Sequence, residues 1–139
     1  MSACTFFGHK DSLNSIENNL CNEIEKLIVN DSVTTFYIGT QGNFDTLAYK
    51  SLKVMRKKYL DIKIYRVLAY MPKNNEILTD SILPEGIELI NPRYAILGRN
   101  KWMIEHSEYV IYYVTHNFGS AAKFVEIARR KNKKLIRVL

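Results

Sequence analysis

Short runs of β-branched and aromatic residues alternate along this chain with longer stretches whose apolar residues recur at helical spacing. Strand patterns cover Cys4 to Phe7, Val33 to Ile38, Ile62 to Ala69, Tyr109 to Val114 and the closing KLIRVL. Strands that alternate with helices form βαβ units, and these units build parallel sheets covered on both faces. We therefore predict one α/β domain over residues 1–139, with a mainly parallel sheet of about five strands and helices on both faces.

The helical segments between these strands differ in how clearly they are bounded. Asp11 or Ser12 is the predicted N-cap of the first helix. A second helix is predicted from about Asp45 to Tyr59, and a later one from Ser120 to about Lys131. Residues 71–91 contain two prolines and a glycine and show no clear period. We expect this segment to be either a long excursion over the sheet or a mobile flap.

Several classes of protein are disfavoured by the sequence. It lacks the roughly 18 consecutive apolar residues that mark a membrane span. Its first residues lack the basic and apolar regions of a signal peptide. Cys4 and Cys21 are the only cysteines, too few for a disulfide framework or a zinc site. We predict a cytoplasmic, reduced protein without metal, cofactor or membrane contact.

The net charge of +6 raises the question of nucleic-acid binding, because basic surfaces attract phosphate backbones. Most of these charges, however, lie where helices are predicted to end, and cations there meet the helix dipole favourably. We therefore favour solvated helix ends over a nucleic-acid surface, while leaving the second interpretation open. The basic residues concerned are Lys50, Lys53, Arg56, Lys57, Lys58, Arg129, Arg130, Lys131, Lys133 and Lys134.

Polar, glycine-containing loops follow three of the predicted strands. In open α/β sheets, ligands bind outside the carboxyl ends of the strands, and helix N-termini there attract anions. A glycine after a strand also serves an ordinary tight turn, so the argument depends on three such loops sharing one edge. None matches GxGxxG or GxxxxGK[ST], which disfavours an ordinary dinucleotide site or P-loop. The predicted ligand-binding residues in these loops are Gly8, His9, Lys10, Gly39, Gln41, Gly42, Asp45, His116, Gly119 and Ser120.

Some of these residues have a second interpretation. Asp45 either caps the second helix or binds ribose hydroxyls. His9 and His116 are expected to be neighbours, and we favour phosphate or ribose contact over a metal site because no further ligand has matching spacing. Arg93 and Arg99 precede the fourth strand and are either surface residues or bidentate partners of a phosphate or carboxylate.

Four segments together resemble one known superfamily. They are TFFGHKD, FYIGTQGNFDTLAYKSL, PRYAILGRNKWMIEHSEYVIYYV and THNFGSAAKFVEIARRKNKKLIRVL. In this order, and over nearly the whole chain, they resemble a stand-alone bacterial or phage member of the SLOG superfamily. That superfamily joins the Smf/DNA-processing proteins with the LOG nucleotide phosphoribohydrolases. The resemblance implies a Rossmann-like sheet, a nucleotide-derived ligand, and a homodimer or higher homo-oligomer.

The enzymes of this superfamily carry an RKxxM segment and a PGGxGTxxE segment. Here RNKWM, beginning at Arg99, keeps the arginine and the methionine but has Asn100 in place of lysine. GSAAKFVE, from Gly119 to Glu126, keeps the first glycine and the final glutamate but lacks the other glycines and the threonine. If the chain is an enzyme, the resemblance implies that Arg99 and Glu126 are its catalytic residues.

Three functions follow from these observations. The first is the binding of a nucleotide or nucleotide-derived small molecule, for which an ADP-ribose-type signal is one candidate, by a sensor or a sequestering protein. The second is LOG-like hydrolysis of the N-glycosidic bond of nucleoside monophosphates. The third is a DNA-binding accessory protein, which is less favoured because we find no recognition helix or face of mixed aromatic and basic residues.

Overall fold

The computed structural model describes residues 2–71 and 79–138. Over these ranges the chain forms a six-stranded sheet and four α-helices, with short 3-10 helices at Asn14–Ile16, Ile87–Leu89 and Pro92–Tyr94. In chain order the main elements are β1 (Ser2–Gly8), α1 (Glu17–Asp31), β2 (Val33–Ile38), α2 (Gly42–Lys58), β3 (Lys63–Val67), β4 (Ser81–Ile82), α3 (Ala95–Glu105), β5 (Tyr109–Tyr113), α4 (Ser120–Arg130) and β6 (Lys134–Arg137).

All neighbouring strands are parallel, in the order β4-β3-β2-β1-β5-β6. The central strand β1 places Thr5 opposite Tyr37 of β2 and Val110 of β5. Strand order reverses at β1, because β2 to β4 extend the sheet to one side whereas β5 and β6 extend it to the other. The carboxyl ends of β1 and β5 therefore border the crevice where ligands of such sheets bind.

The predicted α/β architecture with a mainly parallel sheet is confirmed, but the count of about five strands is one too low. The missed strand is β4, which has only two residues and pairs Ser81 with Arg66 and Ile82 with Val67 of β3. Two residues are too few to show the period of a strand. They also lie within the segment for which no secondary structure was predicted.

Helices cover the two faces of the sheet and form two apolar clusters. Successive side chains of a strand point to opposite faces, so Phe6 packs with residues of α1 and α2 whereas Phe7 packs with residues of α3 and α4. All residues of β1 from Ala3 to Phe7 are buried. A strand buried on both faces explains why this part of the sequence shows an apolar run rather than alternation.

The first helix does not begin as predicted. The Ser12 hydroxyl donates a hydrogen bond to the His9 carbonyl at 2.6 Å, and a 3-10 helix separates Ser12 from α1, whose N-cap is Ile16 without a side-chain bond. The prediction of Asp11 or Ser12 as the N-cap is therefore wrong. The second helix begins at Gly42, three residues before the predicted start.

The segment from 71 to 91 is described only in part. Residues 72–78 of the predicted excursion or flap lie outside the described residues. Beyond them, Asp80 accepts hydrogen bonds from Arg56 and from the Tyr49 hydroxyl, both at 2.9 Å. These bonds join the segment after residue 78 to α2. No helix within the described ranges is long and apolar enough to cross a membrane.

Candidate functional site

A cavity of about 370 Å³ opens at the carboxyl edge of the sheet. This volume is within the range of small-molecule pockets. Seven of the predicted ligand-binding residues line it, namely Gly8, His9, Lys10, Gln41, Asp45, Arg99 and Ser120. The rest of the lining is mainly apolar and consists of Phe6, Phe7, Ile96, Asn100, Met103, Ala121 and Phe124.

Arg99 is the main cation of this cavity and is only 2% exposed. Its Nε donates to the Asn100 side-chain oxygen at 2.6 Å, and its Nη1 donates to the Val67 carbonyl at 3.1 Å. Its Nη2 has no hydrogen-bond partner among the described residues. Burial lowers the pKa of Arg99, although an arginine remains charged in proteins. The alternative of a surface arginine is excluded by this burial.

Asp45 faces the same cavity and also stabilises the start of α2. Its Oδ2 accepts a hydrogen bond from the Gln41 amide at 3.0 Å, which satisfies one of the free donors at the helix N-terminus. Burial raises the pKa of Asp45 to about 6, while the Gln41 amide and the charge of Arg99 act in the opposite direction. Asp45 is therefore not the N-cap of α2, which is Gln41, but from within the helix it accepts a hydrogen bond from the amide of that residue. Oδ1 has no hydrogen bond among the described residues.

Gly39 allows Asp45 and Arg99 to approach each other at the end of β2. A Cβ atom on Gly39 would lie 2.7 Å from Asp45 Oδ2 and 3.2 Å from Arg99 Cζ. The first distance is shorter than real Cβ contacts, so a larger residue would displace the carboxylate. Gly39 is not part of the cavity lining, but its lack of a side chain leaves room for Asp45 and Arg99.

His9 lies in the cavity wall and is 8% exposed. Its Nε2 accepts a hydrogen bond from the Thr115 amide at 2.9 Å, so the neutral ring carries its proton on Nδ1. Burial and the neighbouring His116 lower the pKa of His9, against a smaller opposite effect of Asp11. The Nδ1–H group therefore remains as a donor without a partner among the described residues.

His116 stacks on His9 with ring centroids 3.8 Å apart and planes inclined by 8°. Phe118 packs against His116 with ring centroids 4.0 Å apart and planes tilted by 32°. The two histidines are therefore neighbours, as expected from their positions after β1 and β5. Within the described ranges no group of three His, Cys, Asp or Glu side chains is placed to hold a metal ion.

The N-termini of α2 and α4 are used differently. At α2, which begins with Gly42, the Asn43 amide donates to the Lys10 carbonyl at 2.8 Å, so the first loop already occupies this helix end. At α4, Gly119 has a φ of 93° and provides no side-chain cap. This backbone conformation favours glycine. Ser120 and Ala121 follow it in the cavity lining, and their amides are the free donors of a helix N-terminus.

Six of the predicted residues do not line the cavity, namely Gly39, Gly42, Arg93, His116, Gly119 and Glu126. Arg93 is exposed in the 3-10 helix Pro92–Tyr94. Glu126 lies on the other side of α4, where it forms ion pairs with Arg129 at 2.6 Å and Arg130 at 3.5 Å. It borders a separate depression of about 480 Å³. The structure therefore does not bring Glu126 and Arg99 together.

A larger depression, of about 700 Å³, lies near the end of α2 and is a weaker candidate. Its main charged groups already bind one another, since Glu25 accepts from Lys58 and from the Tyr59 hydroxyl, both at 2.7 Å. The cavity at the sheet edge instead contains donors without partners. We therefore take that cavity as the candidate functional site.

The lining residues missed by sequence reasoning belong mostly to helices. Ile96, Asn100 and Met103 share one face of α3 with Arg99, at the spacing of successive helical turns. Ala121 and Phe124 hold similar positions on α4 after Ser120. Extending the helical period on both sides of each predicted polar residue would have found them.

The sequence matches no protein-family model and no curated protein. The structure is similar to the X-ray structure of DNA processing protein A (DprA) from Streptococcus pneumoniae, with a TM-score of 0.69 and 15% sequence identity. The similarity covers 99% of this chain and 50% of that chain, so this chain spans about half the length of its structural relative. At this identity the similarity concerns the fold alone. The chain has the Rossmann-like fold that its resemblance to the SLOG superfamily predicts.

Proposed function

We propose that this chain binds a nucleotide or nucleotide-derived small molecule in the cavity at the carboxyl edge of its sheet. The observation that carries the proposal is Arg99, whose buried guanidinium lines the cavity with Nη2 unpartnered among the described residues. A buried charge is unfavourable unless it is paired. The nearby Asp45 carboxylate offsets part of this charge, but Nη2 keeps no hydrogen-bond partner among the described residues, and an anionic group beside Arg99 would supply one.

The other donors around the cavity also suit a phosphate. His9 offers its Nδ1–H, Lys10 contributes a positive charge, and the N-terminus of α4 offers amides. Helix N-termini of this kind bind phosphate groups through free N–H groups and the helix dipole. Asp45 is an acceptor for ribose hydroxyls, and the net charge of +6 helps to attract an anion.

The apolar wall favours a ligand larger than an inorganic anion. Phe6, Phe7, Met103 and Phe124 give the cavity an apolar side, and ligand pockets typically combine such surfaces with a few polar groups. A nucleotide has both a phosphate and less polar parts. An ADP-ribose-type signal remains one candidate, bound by a sensor or a sequestering protein.

Isothermal titration calorimetry with AMP, ADP, ADP-ribose and inorganic phosphate tests the proposal. Arg99→Gln and Arg130→Gln remove the same charge, but only Arg99 lines the cavity. We expect Arg99→Gln to weaken binding by about tenfold or more, as expected for loss of a charged hydrogen bond, and Arg130→Gln to leave it unchanged. Arg99→Lys keeps the charge in case the glutamine variant does not fold. Equal affinities of all variants, or no binding by the wild type, would contradict the proposal.

The hydrolase alternative remains a prediction based on the superfamily resemblance. It requires Arg99 and Glu126 to act on one ligand, whereas Glu126 lies on the other side of α4 in ion pairs with two arginines. Incubation with nucleoside monophosphates followed by chromatography tests it. Release of free base that stops in Glu126→Ala would support hydrolysis.

A DNA-binding role is the second alternative, and the structural relative named as a DNA processing protein favours it. If the chain binds DNA, its affinity for an oligonucleotide should fall steeply as the salt concentration rises. Absence of binding at low salt would exclude it. Homodimer formation is likewise a proposal, and light scattering during size-exclusion chromatography measures it.

A further inference from the structure

Three stacked rings connect the cavity to solvent. His9 belongs to the cavity wall, His116 stacks on it at 3.8 Å, and Phe118 stacks on His116 at 4.0 Å. Phe118 is 69% exposed although it is a large apolar residue. The stack thus begins at the site and ends in an accessible aromatic face.

Phe118 is also adjacent to the predicted phosphate donors. It immediately precedes Gly119, the N-cap of α4, and Ser120, the first residue of that helix. On its other side it borders the depression that contains Lys123 and Glu126. The aromatic face and the helix amides are therefore separated by a single residue along the chain.

We propose that the exposed face of Phe118 stacks against the base of the ligand, while its phosphate lies in the cavity. This inference rests on the proposed function and specifies its ligand class as nucleotides with an intact base. Every base has a π-face that stacks on aromatic side chains. Phe118 would then distinguish a nucleotide from a sugar phosphate, a distinction that Arg99 and the helix amides do not make.

His116 does not line the cavity, but its contacts explain how it could position Phe118. Its ring contacts both Phe118 and His9, and the Thr115 amide donates a hydrogen bond to His9 Nε2. A platform supported in this way loses little conformational freedom when a base binds. His116 is therefore a positioning residue for Phe118.

The test compares AMP with ribose 5-phosphate, which lacks only the base. Affinities are measured by calorimetry for the wild type, Phe118→Leu and Phe118→Trp, with Leu60→Ala as an exposed control outside the site. We expect the wild type to bind AMP about tenfold more tightly than ribose 5-phosphate, from the strength of base stacking. Phe118→Leu should remove this difference without weakening ribose 5-phosphate binding, and Phe118→Trp should preserve it.

The outcomes separate this inference from the proposed function. If Phe118→Leu binds AMP as tightly as the wild type while Arg99→Gln does not, the stacking role is wrong and the phosphate site stands. If the wild type binds neither compound, both proposals fail. If only single-stranded DNA binds, in a Phe118-dependent manner, the rings serve nucleic acid and the small-ligand assignment is overturned. Melting temperatures of all variants show whether each is folded.

Discussion

Gly39→Ala is the substitution that most directly probes how the site is built. A Cβ atom would lie 2.7 Å from Asp45 Oδ2 and 3.2 Å from Arg99 Cζ, so the carboxylate must move. Overpacking costs about 1–3 kcal/mol, and loss of the Gln41 amide bond adds about 1–3 kcal/mol. We expect a loss of about 2–6 kcal/mol, which lowers the melting temperature on the order of 10 °C for a chain of this size.

The assay combines thermal unfolding with ligand titration. Gly86→Ala is the matched control, because Gly86 has a φ of 84° but no atom within 4 Å of an added Cβ. It should lose about 1 kcal/mol through backbone strain and keep its ligand affinity, whereas Gly39→Ala should lose both stability and affinity. In the double variant with Asp45→Ala, the two losses should be less than additive. Wild-type stability and affinity in Gly39→Ala would refute this view of the site.

Three further outcomes are expected. Burial raises the pKa of Asp45 to about 6 in the folded state. Between the pKa of the unfolded chain and this value, the folded protein binds more protons than the unfolded chain. Asp45 therefore stabilises the fold at low pH, and this contribution is lost as pH rises through about 6. Asp45→Asn should remove this pH dependence from urea unfolding curves, whereas the lowered pKa of His9 acts in the opposite direction and should remain. Affinity for ADP-ribose, whose pyrophosphate stays ionised in this range, should also rise below about pH 6, where Asp45 is neutral and no longer repels it; an identical calorimetric profile in Asp45→Asn would contradict this. Asp80→Asn places a residue that also tolerates positive φ, but it weakens the hydrogen bonds from Arg56 and Tyr49. The free energy of unfolding should fall by about 1 kcal/mol, measured as a lower melting temperature. An unchanged melting temperature would show that these bonds contribute nothing to stability.

The fold could be predicted from the sequence largely because its signals are local. Each long strand carries β-branched or aromatic residues, and each helix carries its own period, so their order implied a parallel sheet. The strand Ser81–Ile82 could not be predicted, since its two residues form a strand only through pairing with Arg66 and Val67. The helix boundary at Glu17 depends similarly on the turn that precedes it.

The site was predictable to the extent that it consists of strand ends. His9 and Asp45 follow strands, and the reversal of strand order brings them to one crevice. The difference between Arg93 and Arg99 was not predictable from their spacing alone, because Arg93 lies in the exposed 3-10 helix before α3 whereas Arg99 lies on a buried face of α3. Glu126 shows the same limit, since its side of α4 is determined by packing.

The most direct test of nucleotide binding is native mass spectrometry of the purified protein, before and after incubation with the nucleotide panel. Denaturation afterwards releases any bound molecule for identification. We expect a mass shift equal to one intact nucleotide per chain, present in Arg130→Gln and absent or much reduced in Arg99→Gln. A wild-type protein that shows no bound nucleotide before or after incubation would contradict the assignment of the cavity as a nucleotide site.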